Sequence, residues 1–98
     1  LHGALGACHA LEMPFVFGTT GAPGQDRFAG SGPDVERLSA NMMDAWLSFA
    51  RSGKPGHEGI GPWPAYDEQT RSTMVFDRTS GAEDDPFGEE RAAVEALL

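Results

Sequence analysis

The chain is poor in cysteine and in basic residues. Its 98 residues include one cysteine, Cys8, and seven Lys or Arg against fifteen Asp or Glu, which gives a net charge of −8. A single cysteine cannot form a disulfide within the chain, and this favours a reducing compartment such as the cytoplasm without fixing one. The acidic balance argues against nucleic acid and against an anionic membrane surface as partners. No apolar run approaches the roughly 20 residues of a membrane-spanning helix.

The chain also lacks the usual patterns of a metal site or a nucleophilic serine. The imidazole and thiol ligands His2, Cys8 and His9 match no zinc spacing. A His9–Glu12 pair could share a helix face, as in di-iron bundles, but no second pair accompanies it. The nucleophile elbow G-x-S-x-G is absent, since the glycines around Ser31 have the wrong spacing. We therefore expect no metal and no cofactor.

Glycine and proline, by contrast, are abundant, with 13 and 7 residues. They concentrate in residues 18–33 and 53–66, which lack hydrophobic periodicity and are predicted to be loops. A free-standing domain of this length is expected to alternate shorter loops with helices and strands. The composition therefore suggests part of a larger fold.

A long amphipathic helix is predicted over residues 34–52. Asp34 suits its first turn, Arg51 suits its last turn, and Gly53 can adopt the left-handed conformation that ends a helix. Apolar side chains recur at steps of three and four residues, which places them on one face. They are Val35, Leu38, Met42, Ala45, Trp46 and Phe49. We expect this face to pack in a core rather than to bind a ligand.

Shorter elements are predicted on both sides of this helix. Residues 10–17 are expected to form one or two helical turns. Residues 71–77 predict a strand, residues 79–86 a turn and acidic linker, and residues 87–98 a closing helix. As an isolated chain, the 98 residues are therefore expected to be mostly helix and coil.

The loop over residues 54–70 carries two aromatic side chains. Trp63 lies between Pro62 and Pro64, which requires an extended backbone there. Trp63 and Tyr66 are expected to hold the loop on the long helix, and a stacking platform for a ligand is the alternative.

His9 is the candidate for acid–base chemistry. Nucleophilic hydrolysis needs a nucleophile, a base, an acid that orients the base and an oxyanion hole. His9 could be the base, but the adjacent Cys8 is a poor nucleophile for it, because neighbours on an extended segment point in opposite directions. From the residues alone, His9 is a base without a partner, and a structural or surface role remains open.

Residues 6–18 read GACHALEMPFVFG. This stretch resembles the histidine motif of type B carboxylesterases, the para-nitrobenzyl-esterase and cholinesterase-like branch of the α/β-hydrolases, which reads roughly G-x-x-H-[AG]-x-E-[LI]-x-[FY]-V-F-G. Met13 replaces the usual Leu or Ile, one apolar residue for another. The matching residues are Gly6, His9, Ala10, Glu12, Phe15, Val16, Phe17 and Gly18.

The resemblance continues along the chain. The run LSANMMDAWLSFARSGKP resembles the family's late helix, and WPAYDEQTRSTMVFD resembles the loop and strand that follow it. The likeness covers residues 3–78 with good specificity, and the last twenty residues match only as a closing helix. It implies that residues 1–98 are the C-terminal segment of one α/β-hydrolase domain, an α/β fold, rather than a complete catalytic domain.

The resemblance also implies a mechanism. In the family a serine attacks an ester carbonyl, a histidine takes its proton and then protonates the leaving alcohol, and an acid orients the histidine. His9 matches that histidine, and Glu12 is not the orienting acid. The chain order serine, acid, histidine would place the other groups before Leu1. The expected partners are the N-terminal part of the same esterase and a small uncharged ester, and the 98 residues alone would be inactive.

Two alternatives remain open at this stage. Some cholinesterase-like proteins keep the fold for binding or adhesion and lose catalysis, usually at the serine. The 98 residues could also be a stand-alone domain that oligomerises through the apolar face of its long helix.

Overall fold

A computed structural model describes residues 3–98. In chain order its elements are α1 (Met13–Val16), α2 (Asp26–Ala29), α3 (Pro33–Ser52), β1 (Ser72–Val75), β2 (Gly81–Asp84) and α4 (Gly88–Glu95). The two strands pair antiparallel, from Ser72 opposite Asp84 to Val75 opposite Gly81. Within the described residues, no helix has both the length and the apolar character that crossing a bilayer requires.

The long helix α3 confirms the prediction for residues 34–52. Pro33 occupies its first turn, where a missing N–H costs nothing, and Asp34 lies beside it. At the other end Gly53 adopts a left-handed conformation, with φ of 76°, and its N–H donates to the Phe49 carbonyl at 2.8 Å. Glycine suits this position because a side chain would strain it.

A small core forms where α3, the following loop and β1 meet. Ala45, Ile60 and Met74 are buried there, with Trp63 and Phe76 packed against them. The Trp63 ring meets Phe76 edge to face, with the ring centroids 5.8 Å apart. The expectation that Trp63 holds its loop in place is therefore confirmed.

The apolar face of α3 is only partly covered. Met42 and Ala45 are buried, as predicted, but Trp46 is 49% exposed and Phe49 58% exposed. Within residues 3–98 the sheet has two strands, and Met74 of β1 packs with Ala45. Phe76, just after β1, contacts Trp46, with the ring centroids 6.4 Å apart. The end of this face that carries Trp46 and Phe49 is therefore left largely uncovered by the described residues.

Two elements form where loops were predicted. The segment 18–33 contains the single turn α2, and the segment 79–86 contains β2. The sequence of β2, GAED, has no apolar alternation, and three of its four residues are exposed. Backbone pairing with β1 therefore makes this strand, and side-chain patterning could not predict it.

The closing helix is shorter than predicted. It was expected over residues 87–98, whereas α4 spans Gly88–Glu95. No residue of α4 is buried, and Val94, Leu97 and Leu98 are exposed. A helix without packing frays at its end, which accounts for the difference at the C-terminus.

Candidate functional site

His9 lies on consecutive tight turns that lead into α1. The Leu11 N–H donates to the Cys8 carbonyl at 3.2 Å, and the Met13 N–H donates to the Ala10 carbonyl at 3.2 Å. Ala10 adopts a φ of 66°, an uncommon value for a residue with a side chain. These bonds fix the backbone on both sides of His9, so the turn sets the point from which its side chain extends.

The imidazole itself is exposed. Across residues 3–98 we find no hydrogen bond to its ring and none that joins it to Cys8 or Glu12. Cys8 is a free, half-buried thiol, and Glu12 is exposed at the start of α1 without capping the helix through its side chain. Both ring nitrogens of His9 are thus accessible to groups from outside the described segment.

The segment after His9 is anchored on α3. Phe15 is 6% exposed, and its carbonyl accepts a hydrogen bond of 2.8 Å from the Ser39 hydroxyl. Gly18 has a φ of 67°, and a Cβ there would lie 2.8 Å from the Met43 sulfur. Of the two phenylalanines in this segment, Phe15 is thus buried against α3, whereas Phe17 is exposed.

His57 was not singled out from the sequence. Its Nε2 donates to the Asn41 carbonyl of α3 at 2.9 Å, and its Nδ1 accepts from the Gly59 N–H at 3.1 Å. This pattern requires the neutral ring with its proton on Nε2. A histidine in a glycine-rich loop gives no pattern from which this role could be predicted, because its partners are backbone groups.

A large groove lies away from His9. It has a volume of about 1090 Å³ and runs between the C-terminal half of α3 and the loop that follows. Trp46, Phe49, Trp63 and Tyr66 are among its lining residues. Tyr66 is 60% exposed, and its hydroxyl accepts a hydrogen bond of 3.0 Å from Arg71, just before β1.

Two carboxylates stabilise turns near the sheet. The backbone N–H of Thr70 holds the pKa of Asp67 below its ordinary value, assisted by the Thr70 hydroxyl and the Gln69 N–H. Arg91 lowers the pKa of Asp85 through a two-pronged contact, with distances of 3.1 and 3.0 Å. Both groups act on local structure, remote in sequence from His9.

The metal ligands considered from the sequence do not assemble in the described segment. Between residues 3 and 98, no cluster of three or more His, Cys, Asp or Glu is placed to hold a metal ion. His2 lies outside the described residues.

Comparison with known proteins identifies a family model and several related sequences that match most of this chain. The model of the carboxylesterase family matches residues 3–94. The chain is 42% identical to the para-nitrobenzyl esterase of Bacillus subtilis over 87 residues, covering 87% of this chain and 17% of that protein. It is 38% identical to phenmedipham hydrolase of Pseudarthrobacter oxydans over 78 residues, covering 74% of this chain and 15% of that protein.

Solved structures agree with the sequence relatives. The structure superimposes on a carboxylesterase of Geobacillus stearothermophilus with a TM-score of 0.76 and 48% identity, covering 88% of this chain and 19% of that one. A para-nitrobenzyl esterase structure matches with a TM-score of 0.75 and 42% identity, covering 86% of this chain and 17% of that one. The chain therefore spans less than a fifth of the length of these relatives. It carries a segment of their α/β-hydrolase fold and belongs to the carboxylesterase family.

Proposed function

We propose that this chain is the C-terminal segment of a serine carboxylesterase and that His9 is its catalytic base and acid. The observation that carries the proposal is the state of His9: its backbone is held by consecutive turns while its ring is exposed. An acid–base group needs this combination, because the ring must be positioned accurately and still reach the reacting atoms. The motif around it, Gly6 to Gly18, matches the family's histidine motif.

The proposed reaction is ester hydrolysis through an acyl-enzyme. His9 takes the proton of a serine as the serine oxygen attacks the ester carbonyl, and it then gives that proton to the leaving alcohol. In the second half it takes a proton from water, which attacks the acyl group, and returns the proton to the serine. The substrate would be an uncharged ester with an apolar acyl or alcohol part.

The proposed partner of this segment is the N-terminal part of the same esterase. That part would supply the serine, the orienting acid and the oxyanion hole. Exposed apolar side chains on α3 and around the end of α4 support it, since exposed apolar surface often marks an interface. They are Trp46 and Phe49 on α3, and Val94 on α4 with Leu97 just after it. The 98 residues alone would then hydrolyse no ester.

The test compares two histidine variants in the full-length esterase. His9→Gln keeps a polar side chain of similar reach but cannot carry the proton, and we expect kcat for p-nitrophenyl acetate to fall by about 10⁴-fold. His57→Gln is the matched control, with kcat expected to stay within about threefold of the wild type. Equal turnover by His9→Gln and the wild type would contradict the proposal.

A further inference from the structure

We propose that Ser39 is a positioning residue for His9. Its hydroxyl holds the Phe15 carbonyl and thereby fixes the turns that present the imidazole. The inference rests on the proposed catalytic role of His9 and adds a residue from a different element, α3, to the machinery that role requires.

The contact between Ser39 and Phe15 satisfies a group that would otherwise be poorly bonded. A helix leaves its last carbonyls without partners inside the helix, and α1 has a single turn. Within the described residues, the Phe15 carbonyl accepts a long bond of 3.3 Å from the Gly18 N–H and the 2.8 Å bond from Ser39. Ser39 is 5% exposed and Phe15 6%, so bulk water does not easily replace the hydroxyl. Ser39 is therefore the main polar link between α1 and α3.

The backbone transmits the position of Phe15 to His9. The Val16 N–H donates to the Glu12 carbonyl at 2.9 Å, and two further turn bonds connect Met13 to Ala10 and Leu11 to Cys8. His9 lies inside the last of these turns. Because the turns follow one another without a break, a displacement of α1 on α3 also displaces the imidazole. A shift of about 1 Å in a reacting group costs on the order of a hundredfold in rate.

A second serine on the same helix provides a matched control. The Ser48 hydroxyl donates to the Lys54 carbonyl at 2.8 Å, the same kind of bond with the same length. Ser48 tethers the loop after α3, whereas Ser39 tethers the segment that contains His9. Loss of the Ser39 hydroxyl removes the bond to Phe15, and loss of the Ser48 hydroxyl removes the bond to Lys54 and a longer contact of 3.4 Å to the Gly56 carbonyl. Only the loss at Ser39 affects the turns around His9.

The experiment measures kcat, KM and thermal stability of Ser39→Ala and Ser48→Ala in the full-length esterase. We expect kcat of Ser39→Ala to fall about tenfold with KM within about twofold of the wild type, because the imidazole is misplaced while substrate binding is kept. Ser48→Ala is expected to keep its kcat within about twofold. If Ser39→Ala does not fold, Ser39→Cys takes its place, since a thiol keeps the volume but is a weak donor; its kcat is expected to fall as well.

A double variant separates positioning from general stability. Ser39→Ala should cause no further loss of the residual rate in a His9→Gln background, because Ser39 acts through His9. An unchanged kcat in folded Ser39→Ala overturns the inference, and so does an equal proportional loss in the wild-type and His9→Gln backgrounds. If His9→Gln itself retains full activity, the proposed function fails and this inference fails with it. Loss of activity in His9→Gln together with an unaffected Ser39→Ala rejects the positioning role alone.

Discussion

The segment that carries His9 and the loop that carries His57 both pack on α3, yet their histidines are bonded in opposite ways. His57 uses both ring nitrogens on backbone groups of this chain, Asn41 and Gly59. His9 has a fixed backbone and an exposed ring, without a hydrogen bond from residues 3–98. The comparison shows that the role of a histidine depends on whether its ring nitrogens already have hydrogen-bond partners within the chain. His57 is a structural cross-link, and His9 is left available for chemistry.

The largest effect on stability is expected at His57. His57→Ala removes the bonds to Asn41 and Gly59. The Asn41 carbonyl keeps its partner inside α3, and the exposed Gly59 N–H can bond water, so the free energy of unfolding should fall by about 0.5–1.5 kcal/mol. Urea denaturation of the full-length protein measures this. His57→Gln can keep the donor at the position of Nε2 and should lose less. Equal stability of His57→Ala and the wild type would mean that the His57 hydrogen bonds contribute nothing to stability. His57 could then no longer be described as a structural cross-link in contrast to His9.

A smaller difference is expected in chemical reactivity. Diethyl pyrocarbonate acylates an unprotonated imidazole nitrogen. In the 98-residue chain the exposed His9 ring has no hydrogen bond from residues 3–98, whereas Nδ1 of His57 accepts one from the Gly59 N–H. Opening a bond worth about 1.4 kcal/mol slows the reaction by roughly tenfold, so His9 should be modified about ten times faster than His57. Peptide mass spectrometry over a time course with the 98-residue chain gives both rates. Comparable rates at the two rings would show that His57 is not held as the structure indicates.

The sequence predicted what depends on side-chain patterns. The bounds of α3 followed from its apolar periodicity and from Gly53, and the strand over residues 71–77 was found as β1, Ser72–Val75. The strand β2 was missed because backbone pairing alone forms it. Its partner lies nearby in the chain, but GAED carries no apolar alternation that would reveal the pairing.

The candidate site, too, was predictable only where a local pattern in the sequence marks it. His9 was singled out because its family motif is local, thirteen residues long and nearly complete. Ser39 was not, since its role depends on a carbonyl 24 residues earlier in the chain. His57 was missed for the same reason: its partners are backbone groups, whose positions only the folded chain defines. Side chain to backbone contacts across elements are therefore the part of such a site that sequence patterns do not reveal.

The smallest effect is expected at Asp67, which closes the turn that follows the His57 loop. Its carboxylate accepts hydrogen bonds from the backbone N–H groups of Thr70, at 2.7 Å, and Gln69, at 2.9 Å. These bonds favour the charged form and hold the pKa of Asp67 below its ordinary value of 3.8. The group therefore stabilises the fold fully above the pKa of the unfolded chain, and this stabilisation is lost as the pH falls through the lower pKa of the folded state.

Asp67→Asn isolates that contribution, because the amide oxygen can still accept both bonds while the charge is gone. The wild type should exceed the variant in stability at pH 6, and the gap should narrow steadily below pH about 4. Urea denaturation midpoints across this pH range measure the stability difference between the wild type and Asp67→Asn. Esterase turnover of both proteins is measured at neutral pH as well. A gap independent of pH would mean that the charge of Asp67 does not contribute. A loss of turnover at neutral pH would mean that the loop side of α3 is coupled to His9, and the separation between the two regions would no longer hold.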